Sequence, residues 1–398
     1  MTHAEISQPE AMRRDPRALA LLLAASLTVM AAATISPALP GLARQFPDTP
    51  GNAFLIRLLV PAPSLAVVLT AALCGILADR LGRKPLLLGG VALFALAGSA
   101  GLVLADLPLL LASRLILGIA LAMIMTAQSA LIGDYYTGAA LHALSGAQVA
   151  ARNFGGFAFI TLAGVLAGIA IRLPFAIYAL PALALPFLAR VLTEPARHVR
   201  PGDMGAVADD TPDWRLPVAL LALGQCVVTM LFFTMPTQLP FYLQWRGYEA
   251  PGMTGSALGA LMIAGGFAAL LYPRIRRAIG DFGGWGLGFT LQATGFGLLI
   301  SSGDAPRIFL GTALVGAGYA LSMPGFIALS LSITPAQARA TTAALLTGSV
   351  FLGQFLSPFT SIPAIRTWGW QASGTGLATG LGIAALISVI AALRRGRV

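Results

Sequence analysis

Apolar segments long enough to cross a lipid bilayer recur along the whole chain. We predict twelve spans, at 17–42, 53–78, 84–105, 108–133, 141–170, 173–193, 216–244, 252–278, 283–302, 306–330, 336–361 and 371–394. A helix needs about 20 apolar residues to cross a hydrocarbon core of about 30 Å. Because unpaired backbone groups are costly in lipid, a segment of this length forms a helix there. The predicted fold class is therefore an all-α membrane protein.

The low content of charged residues excludes an ordinary soluble domain. Only 10% of the 398 residues are charged and 57% are hydrophobic, whereas soluble domains carry about 25% charged residues. The first span follows a group of arginines and imitates a signal peptide. Its apolar run continues to Leu42, beyond the roughly 7–15 residues of a signal core. We therefore expect this segment to remain in place as the first span.

The positive charges are distributed unevenly between the two sides of the predicted bundle. With twelve spans, both termini and every second loop lie on one side, which carries 17 lysine and arginine residues against six on the other. Cytoplasmic loops carry such an excess of positive charge. We expect both termini in the cytoplasm and the protein in the inner or plasma membrane. The net charge of +10 then indicates topology and not nucleic-acid binding.

A polar stretch from Glu194 to Arg215 divides the chain nearly in half. Its proline, glycine and aspartate content is typical of a solvated linker. The predicted domains are a six-helix bundle at 1–193, a cytoplasmic loop at 194–215 and a second six-helix bundle at 216–398. Two patterns at the same rank in each half support repeated bundles. Thr34 and Leu39-Pro40 recur as Thr234 and Leu239-Pro240, and Leu77, Arg80 and Arg83 recur as Leu271, Arg274 and Arg277.

The most informative charged segment is Gly75–Leu87, which reads GILADRLGRKPLL between the second and third spans. Gly82 permits a tight turn there, and Pro85 opens the next helix where a missing N–H is harmless. One interpretation is an inner loop that only carries charge for topology. The order of residues, however, resembles the loop 2–3 signature of the major facilitator superfamily. The matching positions are Gly75, Leu77, Asp79, Arg80, Gly82, Arg83 and Lys84.

This resemblance implies two six-helix bundles around a central cavity, in a branch that exports drugs or metabolites. Transport in such folds proceeds by rocking of the two halves. The resemblance also implies a conformational latch, in which Asp79 faces the start of the eleventh span near Pro335–Arg339. A helix N-terminus favours a carboxylate at that position. Asp134, at the end of the fourth span, is expected to pair with Arg80 or Arg83.

Two arginines lie inside the predicted spans, where a charge costs about 3 kcal/mol on insertion scales. Arg114 precedes Gly118 by four residues, a spacing that resembles a fourth-helix motif of the same family and implies a role in coupling or substrate binding. Arg152 in the fifth span is a second candidate. The alternative for Arg114 is a side chain that extends to the membrane surface. The fifth span lacks the proline of an antiporter signature, and no acidic residue lies deep in a span.

Polar side chains at membrane depth are candidates for the substrate cavity. They are Thr28, Gln128, Asn153, Gln225, Thr229, Gln238, Tyr319 and Gln354. An unsatisfied polar group is costly at this depth, so each one either meets a substrate or bonds to another helix. Glycines spaced by four, such as Gly164/Gly168 and Gly255/Gly259, are expected to bring helices close together.

No catalytic constellation is recognisable. The single lysine, Lys84, precedes a proline where a P-loop needs serine or threonine. Cys74 and Cys226 lie in different halves and predict neither a disulfide nor a metal site. We expect a monomeric secondary transporter in the lipid bilayer, without cofactor or metal, that exports a small molecule, with proton coupling implied by the resemblance. The alternatives are uptake or facilitated diffusion of a nutrient, a membrane-embedded lipid enzyme, and a receptor without transport.

Overall fold

The computed structural model of the protein describes residues 6–195, 214–301 and 304–395. Within these ranges the chain is almost entirely helical and has no β-strand, and an isolated bridge joins Ile6 and Tyr136. The α-helices are α1 (Pro9–Arg14), α2 (Pro16–Ala33), α3 (Leu39–Ala43), α4 (Pro50–Leu58), α5 (Ala62–Leu81), α6 (Arg83–Ser99), α7 (Leu107–Tyr135), α8 (Gly138–Ile169), α9 (Leu180–Val191), α10 (Arg215–Phe232), α11 (Thr234–Trp245), α12 (Pro251–Ser301), α13 (Ala305–Ile333) and α14 (Arg339–Arg395). Short 3-10 segments lie at Ser36–Ala38, Ala100–Leu102, Leu173–Ala179 and Ala336–Ala338.

Among the described residues, ten helical segments are long and apolar enough to cross a membrane. Two of them, α12 with 51 residues and α14 with 57 residues, would be about 77 and 86 Å long if straight, far beyond a hydrocarbon core of about 30 Å. Each contains a glycine with a positive φ, Gly280 at 69° and Gly369 at 76°. This conformation favours glycine and interrupts the helix. Each segment therefore makes two crossings, and the predicted all-α fold of twelve spans is confirmed.

The first and seventh spans are both interrupted next to a proline. α2 ends at Ala33 and a 3-10 turn leads into α3, while α10 and α11 are separated at Phe233. Pro37 and Pro236 lack the N–H groups that would bond the carbonyl groups four residues earlier in a continuous helix. The two breaks lie at equivalent positions of the sequence repeat, which supports the predicted relation between the halves.

The chain divides into two compact units. The first contains Met1–Ala196 and Pro236–Gly259, and the second contains Arg197–Met235 and Ala260–Val398. The first six spans thus share a unit with α11 from Pro236 onward and with the beginning of α12. The separation after Met235 follows the proline break of the seventh span. The predicted linker at 194–215 lies mostly outside the described residues, and its role as the domain boundary stays a prediction.

Glycines bring α8 into backbone contact with the beginning of α12 in the first unit. A Cβ added at Gly164 would lie 2.9 Å from the Cα of Gly255, and one added at Gly259 would lie 2.6 Å from Oγ1 of Thr161. The obstacle at Gly164 is backbone, so a larger residue does not fit without separating the helices. The predicted close approach is confirmed for Gly164, Gly255 and Gly259, whereas Gly168 faces open space.

In the second unit, α14 packs against α10, and aromatic rings fill the space between α12 and α13. Gly353 lies against the carbonyl group of Cys226, where a Cβ would not fit. The indole N–H of Trp285 donates to the carbonyl group of Ser322 at 3.0 Å, and its ring centre lies 4.6 Å from that of Phe326. This close packing fixes the helices that carry the polar candidates of the second half.

Candidate functional site

The loop between α5 and α6 turns at Gly82. This residue has a φ of 97°, a conformation that favours glycine because it has no Cβ. A Cβ in its place would lie 2.9 Å from Oε1 of Glu194. The predicted tight turn is therefore confirmed, and the glycine also makes room for a carboxylate from the segment that follows α9.

Glu194 caps the N-terminus of α6. Its Oε1 accepts a hydrogen bond from the backbone N–H of Arg83 at 2.7 Å, and its Oε2 accepts one from the backbone N–H of Lys84 at 2.8 Å. These N–H groups have no partner within the helix, and the positive end of the helix dipole favours a carboxylate. Sequence reasoning placed Glu194 in the linker and missed this role. The available signal was an acidic residue directly after the sixth span.

Arg83 also forms an ion pair with Asp134 near the end of α7. Both side chains are half-buried, so the pair is partly shielded from solvent and salt. The predicted pairing of Asp134 with a basic residue of the loop is confirmed for Arg83. Asp79 and Arg80 are exposed at the end of α5, and Gly75 lies earlier in the same helix. The latch between Asp79 and the eleventh span stays a prediction.

The segment before the first span is hydrogen-bonded to the end of α7, next to the ion pair between Asp134 and Arg83. The backbone N–H of Ile6 donates to the carbonyl group of Tyr135 at 3.0 Å. Asp15 accepts hydrogen bonds from Nε of Arg17 at 2.9 Å and from the hydroxyl group of Tyr136 at 2.7 Å. Burial, together with the hydrogen bond to Asp15 and its negative charge, raises the pKa of the Tyr136 hydroxyl above its ordinary value of 10.0. Sequence reasoning used Arg17 only as a topology determinant.

Arg114 is fully enclosed in the first unit. It is 0% exposed, and its Nη2 donates to the carbonyl groups of Ala97 at 3.0 Å and Gly98 at 2.6 Å, near the end of α6. Its guanidinium carbon lies 5.2 and 5.0 Å from the ring centres of Phe175 and Tyr178. Carbonyl groups at a helix C-terminus and aromatic faces both attract a positive charge. These contacts favour a structural role, and the role of Arg114 in coupling or substrate binding stays a prediction.

Arg152 has a different environment. It lies 14 residues after the start of α8 and 17 residues before its end, about 21 and 26 Å along the axis. Its Nε is buried without a hydrogen-bond partner, and the side chain takes part in none of the hydrogen bonds and ion pairs within the described ranges. Nη1 and Nη2 are not enclosed in this way. The structure therefore places near the middle of a span a positive charge that has no partner among the described residues.

The polar candidates of the first unit differ in what they contact. Nε2 of Gln128 donates to the carbonyl group of Leu21 at 2.7 Å and links α7 to α2. Nδ2 of Asn153 donates to the carbonyl group of Val149 at 2.9 Å within α8. The hydroxyl group of Thr28 is buried and has no partner in the part of the chain that the structure describes. Hydrogen bonds within the protein therefore account for Gln128 and Asn153 without a substrate, whereas the hydroxyl group of Thr28 has no such bond among the described residues.

Gln238, expected in the cavity, is buried in the first unit. Its Oε1 accepts a hydrogen bond from Nε of Arg57 at 3.1 Å. Sequence reasoning counted Arg57 only for the topology and missed this contact. The two residues stand 181 positions apart, and nothing in their local sequence relates them.

Two polar candidates of the second unit form one cluster. Oγ1 of Thr229 lies 3.2 Å from the hydroxyl oxygen of Tyr319, and the Tyr319 ring stacks on Phe232 with 3.8 Å between the ring centres. Gln225 is buried, and its Oε1 has no partner among the described residues. Gln354 is half-buried on α14. The cluster joins α10 to α13 and offers polar groups that bind by hydrogen bonds but carry no charge.

Comparison with known proteins supports the same architecture. A family model described as the Major Facilitator Superfamily matches residues 21–358. The solved nucleoside transporter NupG is 12% identical, with a TM-score of 0.73 over 94% of this chain and 98% of that chain. The xylose transporter XylE from E. coli, in an inward open conformation, is 17% identical, with a TM-score of 0.72 over 94% of each chain. The human organic anion transporter MFSD10 (TETRAN) is 19% identical, with a TM-score of 0.70 over 95% of this chain and 99% of that chain.

The family match covers most of the chain and includes both the loop 2–3 signature and the fourth span. At these low identities the structural neighbours show the fold, and that fold is the twelve-span arrangement described above. The chain therefore belongs to the Major Facilitator Superfamily and is a multi-pass integral membrane transporter of small molecules, not an enzyme.

Proposed function

We propose that this transporter exports small neutral or anionic organic compounds, and that Arg152 binds the negative group of the anionic ones. The observation that carries the proposal is the position of Arg152 near the middle of α8 without a partner in the described ranges. A charge at this depth is costly, and charged groups inside spans usually mark a substrate or ion pathway.

The distribution of acidic residues supports the same substrate class. Within the described ranges, the acidic residues lie in loops or close to helix ends and helix breaks. A cationic substrate at the depth of Arg152 would therefore meet a like charge and no described carboxylate. Proton relays commonly use acidic side chains inside spans, so a proton-coupled cycle would have to use carboxylates near helix ends, such as Asp79 or Asp134.

We further propose that the protein acts as a monomer in the inner or plasma membrane, with both termini in the cytoplasm. The excess of positive charge on the side of the termini supports this orientation. An epitope tag at either terminus should then react with antibody only after the cells are permeabilised. Reaction in intact cells would show the opposite orientation.

Uptake of a nutrient is the second candidate function. NupG and XylE are named as transporters of a nucleoside and of xylose, which favours this alternative. Export is supported by the loop 2–3 signature together with the short loops, because relatives that resemble this chain in these features are often efflux carriers. MFSD10 is named as an organic anion transporter, which favours an anionic substrate. An assay that measures growth protection and accumulation in parallel separates the two directions.

The experiment is growth of an efflux-deficient bacterium that expresses the protein, on toxic compounds grouped as anionic, neutral and cationic. We expect protection against anionic and neutral compounds, and loss of about tenfold or more of the anionic protection in Arg152→Gln. The matched control is Asn153→Ala, which removes the neighbouring side chain, whose amide donates to the carbonyl group of Val149 within α8. A protonophore tests whether the protection depends on the proton gradient.

Three outcomes would contradict parts of the proposal. Protection restricted to cationic compounds would exclude the substrate class. Equal anionic protection in Arg152→Gln and the parent would exclude the role of Arg152. Increased sensitivity to a toxic nutrient analogue, without protection from any compound, would favour uptake.

A further inference from the structure

A single arginine connects the second span to the second part of the seventh. Nε of Arg57 donates to Oε1 of Gln238 at 3.1 Å, and its Nη1 donates to the carbonyl group of Ala53 at 2.9 Å. The guanidinium carbon lies 3.8 Å from the ring centre of Phe241. All of these residues belong to the first compact unit. The arginine is thus held on its own helix α4 and reaches two side chains of α11.

The two partners on α11 are spaced so that one side chain contacts both. Gln238 and Phe241 are three positions apart and lie on one face of the helix. Gln238 is 2% exposed and Phe241 is 9% exposed, so the contact is largely shielded from water. A hydrogen bond from a charged donor and a cation–π contact are both strengthened by such burial.

The position of α11 gives this contact its significance. The break at Phe233 separates α11 from α10, and α11 from Pro236 onward belongs to the first compact unit, whereas α10 belongs to the second. A contact that fixes α11 to α4 therefore fixes only the second part of the seventh span. The loop between α3 and α4 and the loop between α11 and α12 lie at the same end, since Arg44 of the first loop is 3.6 Å from Glu249 of the second. We call this the far end.

We propose that Arg57 is a clamp that holds the far end closed, and that its release from Gln238 and Phe241 is a step of the transport cycle; this inference rests on the proposed transport function. Arg57 is a positioning residue in this role, and Gln238 serves the clamp instead of the substrate. Replacement of the neutral partner Gln238 by glutamate would turn the hydrogen bond into an ion pair and tighten the clamp.

The chain offers a matched control at the same end. Arg44 lies 3.6 Å from Glu249 across the first unit, but the side chains are 59% and 73% exposed. Exposed ion pairs contribute little because water and salt screen them. Arg44→Ala therefore removes a positive charge from the far end without removing a buried contact.

The experiment measures the accessibility of a cysteine placed beside Gln238. Thr237 is 0% exposed, and Thr237→Cys is introduced after Cys74 and Cys226 are replaced by serine. The purified full-length protein, in lipid nanodiscs, is labelled with a polar maleimide without substrate. We expect Arg57→Ala to raise the labelling rate about tenfold and Gln238→Glu to lower it by a similar factor. Arg57→Lys, which lacks the planar guanidinium group, should give an intermediate rate.

The labelling rate is expected to rise in Arg57→Ala and to fall in Gln238→Glu. These opposite changes distinguish a clamp from general destabilisation, which would raise the labelling rate in every variant. A change in the same direction for Arg57→Ala and Gln238→Glu, or equal effects of Arg57→Ala and Arg44→Ala, would overturn the proposal. The assay needs no substrate, so its result is separate from that of the export assay. If export fails while labelling shifts as expected, the clamp stands and the proposed substrate class falls.

Discussion

Replacement of Arg114 by alanine should destabilise the protein strongly, because Nη2 of this buried side chain is the donor to two buried carbonyl groups, although Nη1 has no partner among the described residues. The change removes two hydrogen bonds from a charged donor to the carbonyl groups of Ala97 and Gly98, and leaves both acceptors at the buried end of α6. Each buried unsatisfied group costs about 1–3 kcal/mol. It also empties the space in front of the rings of Phe175 and Tyr178. The expected loss is about 4 kcal/mol, the sum of two such groups.

The matched comparison is Arg152→Ala, which removes an arginine that has no partner in the described ranges. Since a buried charge without a partner opposes folding, we expect this change to leave stability unaltered or to raise it. Unfolding of the purified protein, by heating in detergent and by titration with denaturing detergent, measures both variants. Equal destabilisation of the two variants would refute the distinction between a structural and a functional arginine. Arg114→Lys should lie between the parent and Arg114→Ala, because an ammonium group keeps the positive charge but lacks the planar guanidinium group that faces the rings of Phe175 and Tyr178.

Three further changes test other parts of the first unit. Glu194→Gln should weaken the cap of α6 by about 1 kcal/mol. The measurement is the shift of the unfolding midpoint, with Glu10→Gln as the control variant. Asp79→Asn should lower the transport rate while leaving expression and unfolding temperature unchanged. An unaltered transport rate would refute the predicted latch between Asp79 and the eleventh span. Because the pKa of Tyr136 is raised in the folded state, its contribution to stability is present below pH 10 and decreases as the pH rises further. Tyr136→Phe should abolish that part of the alkaline destabilisation, and a pH series of unfolding midpoints would show it.

The twelve spans were predictable because the bilayer imposes the same requirement on every segment. A stretch of apolar residues with satisfied backbone groups has no alternative to a helix in lipid. The proline breaks of the first and seventh spans also follow from the missing N–H groups of Pro37 and Pro236. The long helices α12 and α14 agree with this prediction once their glycine breaks at Gly280 and Gly369 are recognised.

The loop 2–3 signature was predictable in part. The turn at Gly82 and the pairing of Asp134 with Arg83 both followed from the motif. The cap by Glu194 did not, because its partner Arg83 is 111 positions away and the acidic residue begins a polar stretch. A contact of this kind depends on how the ends of α6 and α9 meet, and no local pattern records it.

The two deep arginines show a second limit of sequence reasoning. The sequence predicts that Arg114 and Arg152 both lie inside a span, and only the surroundings of Arg114 resemble a motif of the family. Depth alone does not reveal whether a guanidinium has partners. The structure pairs Arg114 with helix-end carbonyl groups and aromatic rings and leaves Arg152 unpaired in the described ranges. Arg57 was likewise counted only for the topology, because its partner Gln238 lies in the other half of the sequence and no local pattern relates the two residues.

The most direct test of the account is the rate of transport by purified protein in proteoliposomes, with a radiolabelled anionic compound found in the growth assay. Parent, Arg152→Lys and Arg152→Gln would be compared, together with a neutral transported compound. We expect Arg152→Lys to retain anion transport, Arg152→Gln to lose about tenfold or more of it, and transport of the neutral compound to be unaffected in both variants. Equal loss of neutral and anionic transport in Arg152→Gln, or no loss of either, would contradict the assignment of Arg152 as the anion-binding group.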